Sequence, residues 1–279
     1  MLKRILFAID PDEDSVVASR VAIDLAKRHD AEVSCLAVID LASIEASARG
    51  GGIGSFYYAE KLQEKLTDET RAVARDLIAS YEERLSSAGI RHVEFIREGV
   101  PVNRIVEDMK VHDLLLMGRD PHFFYAHPKK DTNTVARVVK RTVGPTMVIG
   151  SEYRSVKRVL IAYDGSDAAA RAVSRLIHLR PFGDDIQIDL VTVYSKDSRE
   201  ADLMLQLVKS YFEAHGFSIH TMAISGTHPK EELLKYARDT QSDVIVAGAH
   251  AVSAVKRMAF GSTTATLLSD CNIPLFLDN

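Results

Sequence analysis

The two halves of the chain repeat one pattern of short apolar runs. KRILFAID at 3–10 matches KRVLIAYD at 157–164 at five of eight positions. The match continues in chain order. EVSCLAVID (32–40) matches QIDLVTVYS (187–195), and REGVPVNRIVEDM (97–109) matches ISGTHPKEELLKY (224–236). HDLLLMG (112–118) then matches SDVIVAG (242–248). A repeat of this length predicts two copies of one domain. We assign the first domain to 1–150, a linker to 151–156 and the second domain to 157–279.

Within each half, continuous apolar runs alternate with segments of helical period. Between 60 and 88 a helix is predicted, ended by Gly89, because apolar residues recur at helical spacing: Leu62, Leu66, Val73, Leu77, Tyr81 and Leu85. The strand runs are almost entirely apolar, which is typical of a parallel sheet covered by helices on both faces. Each half is therefore predicted to be a doubly wound, Rossmann-like α/β domain, a five-stranded parallel sheet flanked by four helices.

The first half also carries SIEASARGGGIGSFYY at 43–58, where the second half is shorter. Its glycines at 50–54 predict a flexible connector. A Gly-rich phosphate loop is one interpretation, but no lysine and hydroxyl follow at P-loop spacing, which favours a mobile surface loop or lid.

Composition narrows the function classes. The chain has 35 basic and 39 acidic side chains, a net charge of −4 that provides no overall field for nucleic acid. No apolar run reaches the ~18 residues of a membrane span, and the first residues lack a signal-peptide cleavage region, so we expect a cytoplasmic protein.

Cys35 and Cys271 have no partner at metal or redox spacing and are expected to be buried, inert thiols. A zinc site at His122 and His127 is disfavoured, because no further ligands cluster there.

Ligands of open parallel sheets bind beyond the carboxyl ends of the strands. In the second half these positions are 164–167, DGSD, and 248–251, GAHA, and the glycine at 261 precedes three hydroxyl residues. Gly261 lets the backbone approach an anion, and a helix beginning near 263 would point its amides at the same place. Lys256 and Arg257 add positive charge nearby or are simply solvated. The alternative is an ordinary helix N-cap built from Ser262 or Thr263.

These residues carry a family resemblance: both halves resemble universal stress protein domains, and the whole chain resembles a tandem member of that family. The family's ATP-binding subgroup has glycine, two residues, glycine, nine residues, glycine, then serine or threonine. Gly248, Ala251, Gly261 and Ser262 fall at that spacing, with alanine at the second glycine. The resemblance implies the strand order 3-2-1-4-5 and ATP as ligand with Mg²⁺ as its accompanying ion. At most slow ATP hydrolysis or self-phosphorylation is expected, because the residues offer no general base, and we assign no catalytic residue.

The same resemblance implies a role for each residue of the ATP site. Asp164 would contact the ribose or adenine side, Ser166 would help to close the pocket, and the backbone of Val193 would read the adenine edge. The remaining residues would line the ribose and first phosphates (Gly248, His250, Ala251) or hold the outer phosphates (Gly261, Ser262, Thr263, Thr264).

The first half departs from this pattern. The equivalent frame holds Gly118, Pro121 and Asp131-Thr132, and DPDED at 10–14 adds negative charge at the mouth. Proline removes an amide, and Asp131 places a carboxylate where phosphate would lie. We therefore predict that the first half does not bind ATP by this route.

Three functions remain open. The first is a stress-response regulator that binds ATP in its C-terminal domain and acts on protein partners the sequence does not identify. The second is a nucleotide-free interaction scaffold, in which MVIG (147–150) and LFLDN (275–279) pair so that the two domains form a pseudo-dimer; assembly into a homodimer is open in either case. The third, an adenylating enzyme of the adenine-nucleotide α-hydrolase type, is disfavoured because YDGSDAA (163–169) lacks that group's SGGxDS loop.

Overall fold

The computed structural model describes residues 1–48, 56–123, 125, 134–249 and 272–279, with only the backbone of 56–58. It contains these strands: β1 Arg4–Ile9, β2 Glu32–Asp40, β3 His92–Gly99, β4 Leu114–Gly118, β5 Thr146–Ile149, β6 Arg158–Ala162, β7 Gln187–Tyr194, β8 His220–Ser225, β9 Val244–Gly248 and β10 Leu275–Asp278. The helices of the described residues are α1 Glu13–His29, α2 Leu41–Ala48, α3 Phe56–Ser87, α4 Pro101–Met109, α5 Thr134–Val139, α6 Asp167–Leu179, α7 Ser198–Ala214 and α8 Pro229–Asp239.

The strands form one ten-stranded sheet in the order β3-β2-β1-β4-β5-β10-β9-β6-β7-β8. Each half therefore has the predicted order 3-2-1-4-5, and its strands are parallel. The α/β architecture is confirmed. Because the two halves meet through an antiparallel pair, the carboxyl ends of their strands point to opposite edges of the sheet.

The junction between the halves is the antiparallel pairing of β5 with β10. Val148 pairs with Leu275, and Met147 with Phe276, and all four residues are buried. The predicted pairing of MVIG with LFLDN is therefore confirmed. It joins the two halves edge to edge, which leaves β3 and β8 as the outer strands of the sheet.

An aspartate ties the first strand of each half to the fourth. Oδ2 of Asp113, just before β4, accepts hydrogen bonds from the backbone N of Lys3 at 2.7 Å and of Arg4 at 2.9 Å. Oδ2 of Asp243, just before β9, accepts from the backbone N of Lys157 and of Arg158, both at 2.8 Å. The repeated Lys-Arg pair and the repeated aspartate thus fix the same strand register twice.

The long helix α3 confirms the helix predicted over 60–88, and it begins earlier, at Phe56. It ends as predicted at Gly89, whose φ of +72° suits glycine. The Gly89 N donates to Ser86 O and the Ile90 N to Leu85 O, both at 2.9 Å, which is a Schellman motif. Leu62 is 42% exposed, so the buried face of α3 begins at Leu66.

Part of the predicted connector is helical. Residues 43–48 belong to α2, so the interpretation of 43–58 as a flexible connector is wrong for them. The Asp40 carboxylate accepts from the backbone N of Ser43 at 3.1 Å and from its Oγ at 2.6 Å, which caps the helix. Ile44 and Ala48, one turn apart, are buried. The described residues of the first half thus form five helices rather than four, while 49–55 and the helix predicted near 263 lie outside the described residues.

Cys35 fits the expected inert thiol. It is fully buried in β2, and burial raises the pKa of its thiol to about 12. Cys271 and His127 lie outside the described residues. In the part of the chain that the structure describes, no helix has both the length and the apolar character needed to cross a membrane.

Candidate functional site

The register of the second half brings three predicted site residues to one edge of the sheet. Ala162, the last residue of β6, pairs with Val191 of β7 on one side and with Ala247 of β9 on the other. Gly248 directly follows Ala247, Asp164 lies two residues beyond Ala162, and Val193 lies two residues beyond Val191. The crevice expected at the carboxyl ends of β6 and β9 is therefore the place where these three residues meet.

The turn after β6 is built by Asp164, Gly165 and Ser166. The Ser166 N donates to Asp164 Oδ1 at 3.0 Å, and Gly165 has φ of +77°. Ser166 is the N-cap of α6, and its Oγ accepts from Ala169 N at 3.2 Å. The hydroxyl therefore stabilises α6 as a hydrogen-bond acceptor. Asp164 is exposed, so its carboxylate is accessible at the turn that follows β6.

Gly248 is a glycine for a packing reason. A Cβ at this position would lie 2.5 Å from Ala169 N and 2.7 Å from the carbonyl carbon of Ala168. The first turn of α6 thus lies directly on the end of β9, and any side chain would push the two apart. Gly248 positions α6 and its capped N-terminus at the crevice whether or not a ligand binds.

The backbone of Val193 forms the side wall of the crevice. The ladder between β6 and β7 ends with Tyr163 N donating to Val191 O at 2.9 Å. The Val193 amide faces the same side two residues further on, since alternate residues of a strand point alike. Among the described residues, Val193 N finds no hydrogen-bond acceptor. Within the described residues, a backbone donor, Val193 N, therefore lies beside Tyr163 O at the crevice.

In the first half the equivalent backbone groups are bridged by a tyrosine. By the repeat, Val38 and Ile9 correspond to Val193 and Tyr163. The Tyr125 hydroxyl accepts from Val38 N at 3.0 Å and donates to Ile9 O at 3.2 Å. Tyr125 is 9% exposed, and its burial raises the pKa of its phenol.

The residues before Tyr125 close the same crevice. The Asp40 N donates to Phe123 O at 3.3 Å, and Phe123 is 4% exposed. The informative signal in PHFFYAHP, where a zinc site is disfavoured, is the run of aromatic residues, which are costly to leave in water. The first half thus fills its crevice with its own side chains, while the loop of the second half at the equivalent positions lies outside the described residues.

The two aspartates that follow β1 and β6 differ in burial. Asp10 Oδ1 accepts from Asp12 N at 2.8 Å, the same turn that Asp164 makes with Ser166. Asp10 is fully buried, whereas Asp164 is exposed. Pro121 is buried too, and Asp131 and Thr132 lie outside the described residues. That the first half does not bind ATP stays a prediction, and the filled crevice adds a physical reason for it.

Two residues at the second crevice were missed by the sequence reasoning. Met204 of α7 places its sulfur 2.9 Å from where a Cβ on Gly165 would be, so α7 covers the turn after β6. Asp278 pairs with Gly248 and is 3% exposed. Burial raises the pKa of its carboxyl, and Arg175 Nε lies 3.4 Å from Oδ2. No local signal identifies either residue, because their positions depend on how α6, α7 and β10 pack.

The phosphate end of the predicted site falls outside the described residues. This applies to six of the predicted ATP-binding residues: His250, Ala251, Gly261, Ser262, Thr263 and Thr264. Their assignment rests on spacing and family resemblance. The structure positions Asp164, Ser166, Val193 and Gly248.

Two doubly wound α/β domains in tandem, joined through their last strands into one sheet, define the class of this protein. The sequence model of the universal stress protein family matches residues 1–149 and again 155–277. The chain belongs to the universal stress protein family.

Individual relatives agree with this assignment. Universal stress protein Slr1230 of Synechocystis sp. is 25% identical over 287 residues, covering 98% of this chain and 99% of that protein. The crystal structure of a universal stress protein from Archaeoglobus fulgidus superposes with a TM-score of 0.72 at 21% identity, covering 99% of this chain and 98% of that one, which supports the fold. A single-domain match is a universal stress protein in complex with cAMP, with 22% identity, a TM-score of 0.38, and coverage of 44% of this chain and 96% of that one.

Proposed function

We propose that this chain is a stress-response protein that binds one molecule of ATP in its C-terminal half and changes its protein contacts with nucleotide occupancy. The observation that carries the proposal is the difference between the two crevices. Tyr125 bridges Val38 N and Ile9 O in the first half, whereas within the described residues the equivalent Val193 N has no acceptor. A base at the second crevice would occupy the position that the phenol ring takes in the first.

Each described residue has a physical role in this proposal. The exposed Asp164 carboxylate accepts from the ribose hydroxyls, and a charged hydrogen bond of this kind contributes roughly 1.5–3 kcal/mol. Ser166 caps α6 and donates to the ligand, and Gly248 lets α6 approach. Gly261 and the hydroxyls of Ser262, Thr263 and Thr264 would receive the phosphates, with Mg²⁺ neutralising part of their charge.

Calorimetric titration of the full chain with ATP, with and without Mg²⁺, tests the proposal. We expect one site per chain. Asp164→Ala should weaken binding by about 10- to 100-fold, the range set by one charged hydrogen bond. Gly261→Asp should abolish binding, since it places a carboxylate against the phosphates. AMP and cAMP belong in the same series, because the cAMP complex of a relative makes that nucleotide a natural competitor.

Asp184→Ala is the matched control. Asp184 is also an exposed aspartate, with a side chain 72% exposed, but it precedes β7 at the opposite edge of the sheet. Its removal should leave ATP affinity unchanged. Two sites per chain would overturn the restriction to one half, and equal affinities for Asp164→Ala and Asp184→Ala would overturn the assigned crevice.

A nucleotide-free interaction scaffold is the second candidate, favoured by the β5–β10 pairing that joins the two halves without any ligand. Ala251, at the second glycine of the motif, also favours it, because its methyl group narrows the space for a phosphate and resists positive φ. Failure of the parent protein to bind any of the three nucleotides would decide for the scaffold.

A further inference from the structure

Three metal-ligating side chains meet on the outer part of the first half, away from both crevices. Glu82 lies on α3, and His92 and Glu94 lie on β3. Their ligand atoms all lie within 4.8 Å of one another, and His92 Nε2 is 3.3 Å from Glu94 Oε1. His92 begins β3, so the cluster lies at the amino edge of the strands, the edge opposite the first crevice.

Local structure explains why these residues converge. His92 and Glu94 are two positions apart on a strand, so their side chains share one face. The helix α3 packs on β2 and β3 and brings Glu82 to that face. The side chains of His92 and Glu94 are 14% and 33% exposed, so the cluster is half-enclosed yet reachable from solvent.

The His92 ring is oriented as a metal ligand would be. Its Nδ1 lies 2.8 Å from Ile90 O, and because a carbonyl oxygen can only accept, Nδ1 carries the proton of the neutral ring. The lone pair of Nε2 then faces the two carboxylates. Metal-bound histidines are held in this way, with the second nitrogen donating to a backbone carbonyl or a carboxylate.

The neighbouring cations are engaged elsewhere. Arg91 Nη2 donates to Asp30, at 2.9 Å from its backbone O and 3.2 Å from Oδ1. The Arg84 guanidinium lies 5.6 Å from the Tyr81 ring centroid. The Ser86 Oγ is 3.5 Å from His92 Nε2 and adds a neutral oxygen. Two carboxylates and one imidazole thus converge with a net negative charge.

We propose that Glu82, His92 and Glu94 bind a divalent transition-metal ion of the zinc class, with solvent completing the coordination. One nitrogen and two carboxylate donors suit Zn²⁺ better than the hard ions Mg²⁺ and Ca²⁺, which prefer oxygen alone. The ion would cross-link the C-terminal part of α3 to the outer strand β3, so its role is structural.

Zinc titration of the full, tag-free and chelator-treated chain, followed by calorimetry, tests the proposal. We expect His92→Gln to weaken zinc affinity at one site by at least about tenfold. Loss of a group that only supports a metal ligand already costs about that much affinity, and His92 would be a ligand itself. Glu82→Gln, an exposed change on α3, should weaken the same site without threatening the fold. Zinc should raise the melting midpoint of the parent more than that of either variant.

His220→Gln is the matched control, because His220 Nδ1 lies 3.3 Å from Asp189 Oδ1 in a histidine–carboxylate pair outside the three-ligand cluster. Its zinc isotherm should equal that of the parent. A parent that binds no zinc, or variants at 82 and 92 with the parent's isotherm, would show that His92 and Glu94 form only an ion pair and would overturn the proposal.

Discussion

The Tyr125 hydroxyl lies 3.0 Å from the backbone N of Val38, although the two residues are 87 positions apart in sequence. Together with its 3.2 Å bond to Ile9 O, this contact fills the gap that opens where β1 and β2 diverge. The tyrosine acts as an internal ligand at the position where a universal stress protein domain would otherwise expose its backbone. The two copies of one fold thus differ: Tyr125 fills the first crevice, whereas among the described residues no group accepts a hydrogen bond from Val193 N in the second.

Tyr125→Phe should destabilise the first half by about 1–3 kcal/mol, because Val38 N and Ile9 O are buried and would lose their shared partner. Denaturant unfolding measures the loss, and faster hydrogen exchange at the Val38 amide locates it. Tyr153→Phe is the control: Tyr153 is 40% exposed and its hydroxyl bonds Asp24, so the change should cost within about 0.5 kcal/mol. Similar losses in both variants would contradict the internal-ligand interpretation.

Gly248→Ala should destabilise the second half by roughly 1–3 kcal/mol or more, since the added methyl would meet the backbone of Ala168 and Ala169. The measurement is again the free energy of unfolding. Gly150→Ala is the comparison, because the nearest atom to its Cβ, the Asn272 O, lies at 3.4 Å, an ordinary contact. If Gly248→Ala proves as mild as Gly150→Ala, α6 does not rest on β9 as described.

His112 should make the first half less stable in mild acid. Its Nδ1 donates to Asp108 O at 2.7 Å and its Nε2 accepts from Ser34 Oγ at 2.8 Å, so the neutral ring is already satisfied. Burial lowers the pKa of His112 below the unfolded value of 6.5, with the nearby charge of Arg4 acting in the same direction and the Asp108 carbonyl opposing it. The unfolded chain therefore binds the proton more readily, and stability present above pH 6.5 is lost as pH falls through the lowered folded pKa.

The measurement is the unfolding free energy at several pH values between about 5 and 8, the range in which histidine titrates. His112→Gln should flatten the dependence below neutral pH, even though its stability at neutral pH is lower. His220→Gln, which removes a ring 59% exposed, is the comparison variant, and it should flatten the dependence less than His112→Gln does. An unchanged slope in His112→Gln would show that another group causes the acid sensitivity.

The fold could be predicted because the sequence patterns that indicate its strands and helices are local and occur in both halves of the repeat. Apolar strand runs, the helical period of α3 and the terminating Gly89 each act within a few residues, and the repeat confirms each assignment in the other half. The helix α2 was missed because eight residues beside a glycine run carry little periodicity, and only the burial of Ile44 and Ala48 against neighbouring elements distinguishes it.

Some residues of the candidate site could be predicted from the sequence, and others could not. Asp164 and Ser166 could be placed after β6 from sequence, because a strand followed by a capped helix is a local pattern. Met204 and Asp278 could not, since their positions at the crevice follow from the packing of separate elements.

Local sequence patterns suffice to predict two copies of a doubly wound α/β domain and to show that the second copy alone retains the glycine and hydroxyl spacing of an ATP site. Packing explains the rest: the first crevice is closed because a side chain from a distant loop fills it, and Gly248 must be glycine because a helix packs against it. Periodicity and turn chemistry act between neighbours in the chain, whereas a filled crevice depends on contacts between residues far apart in it.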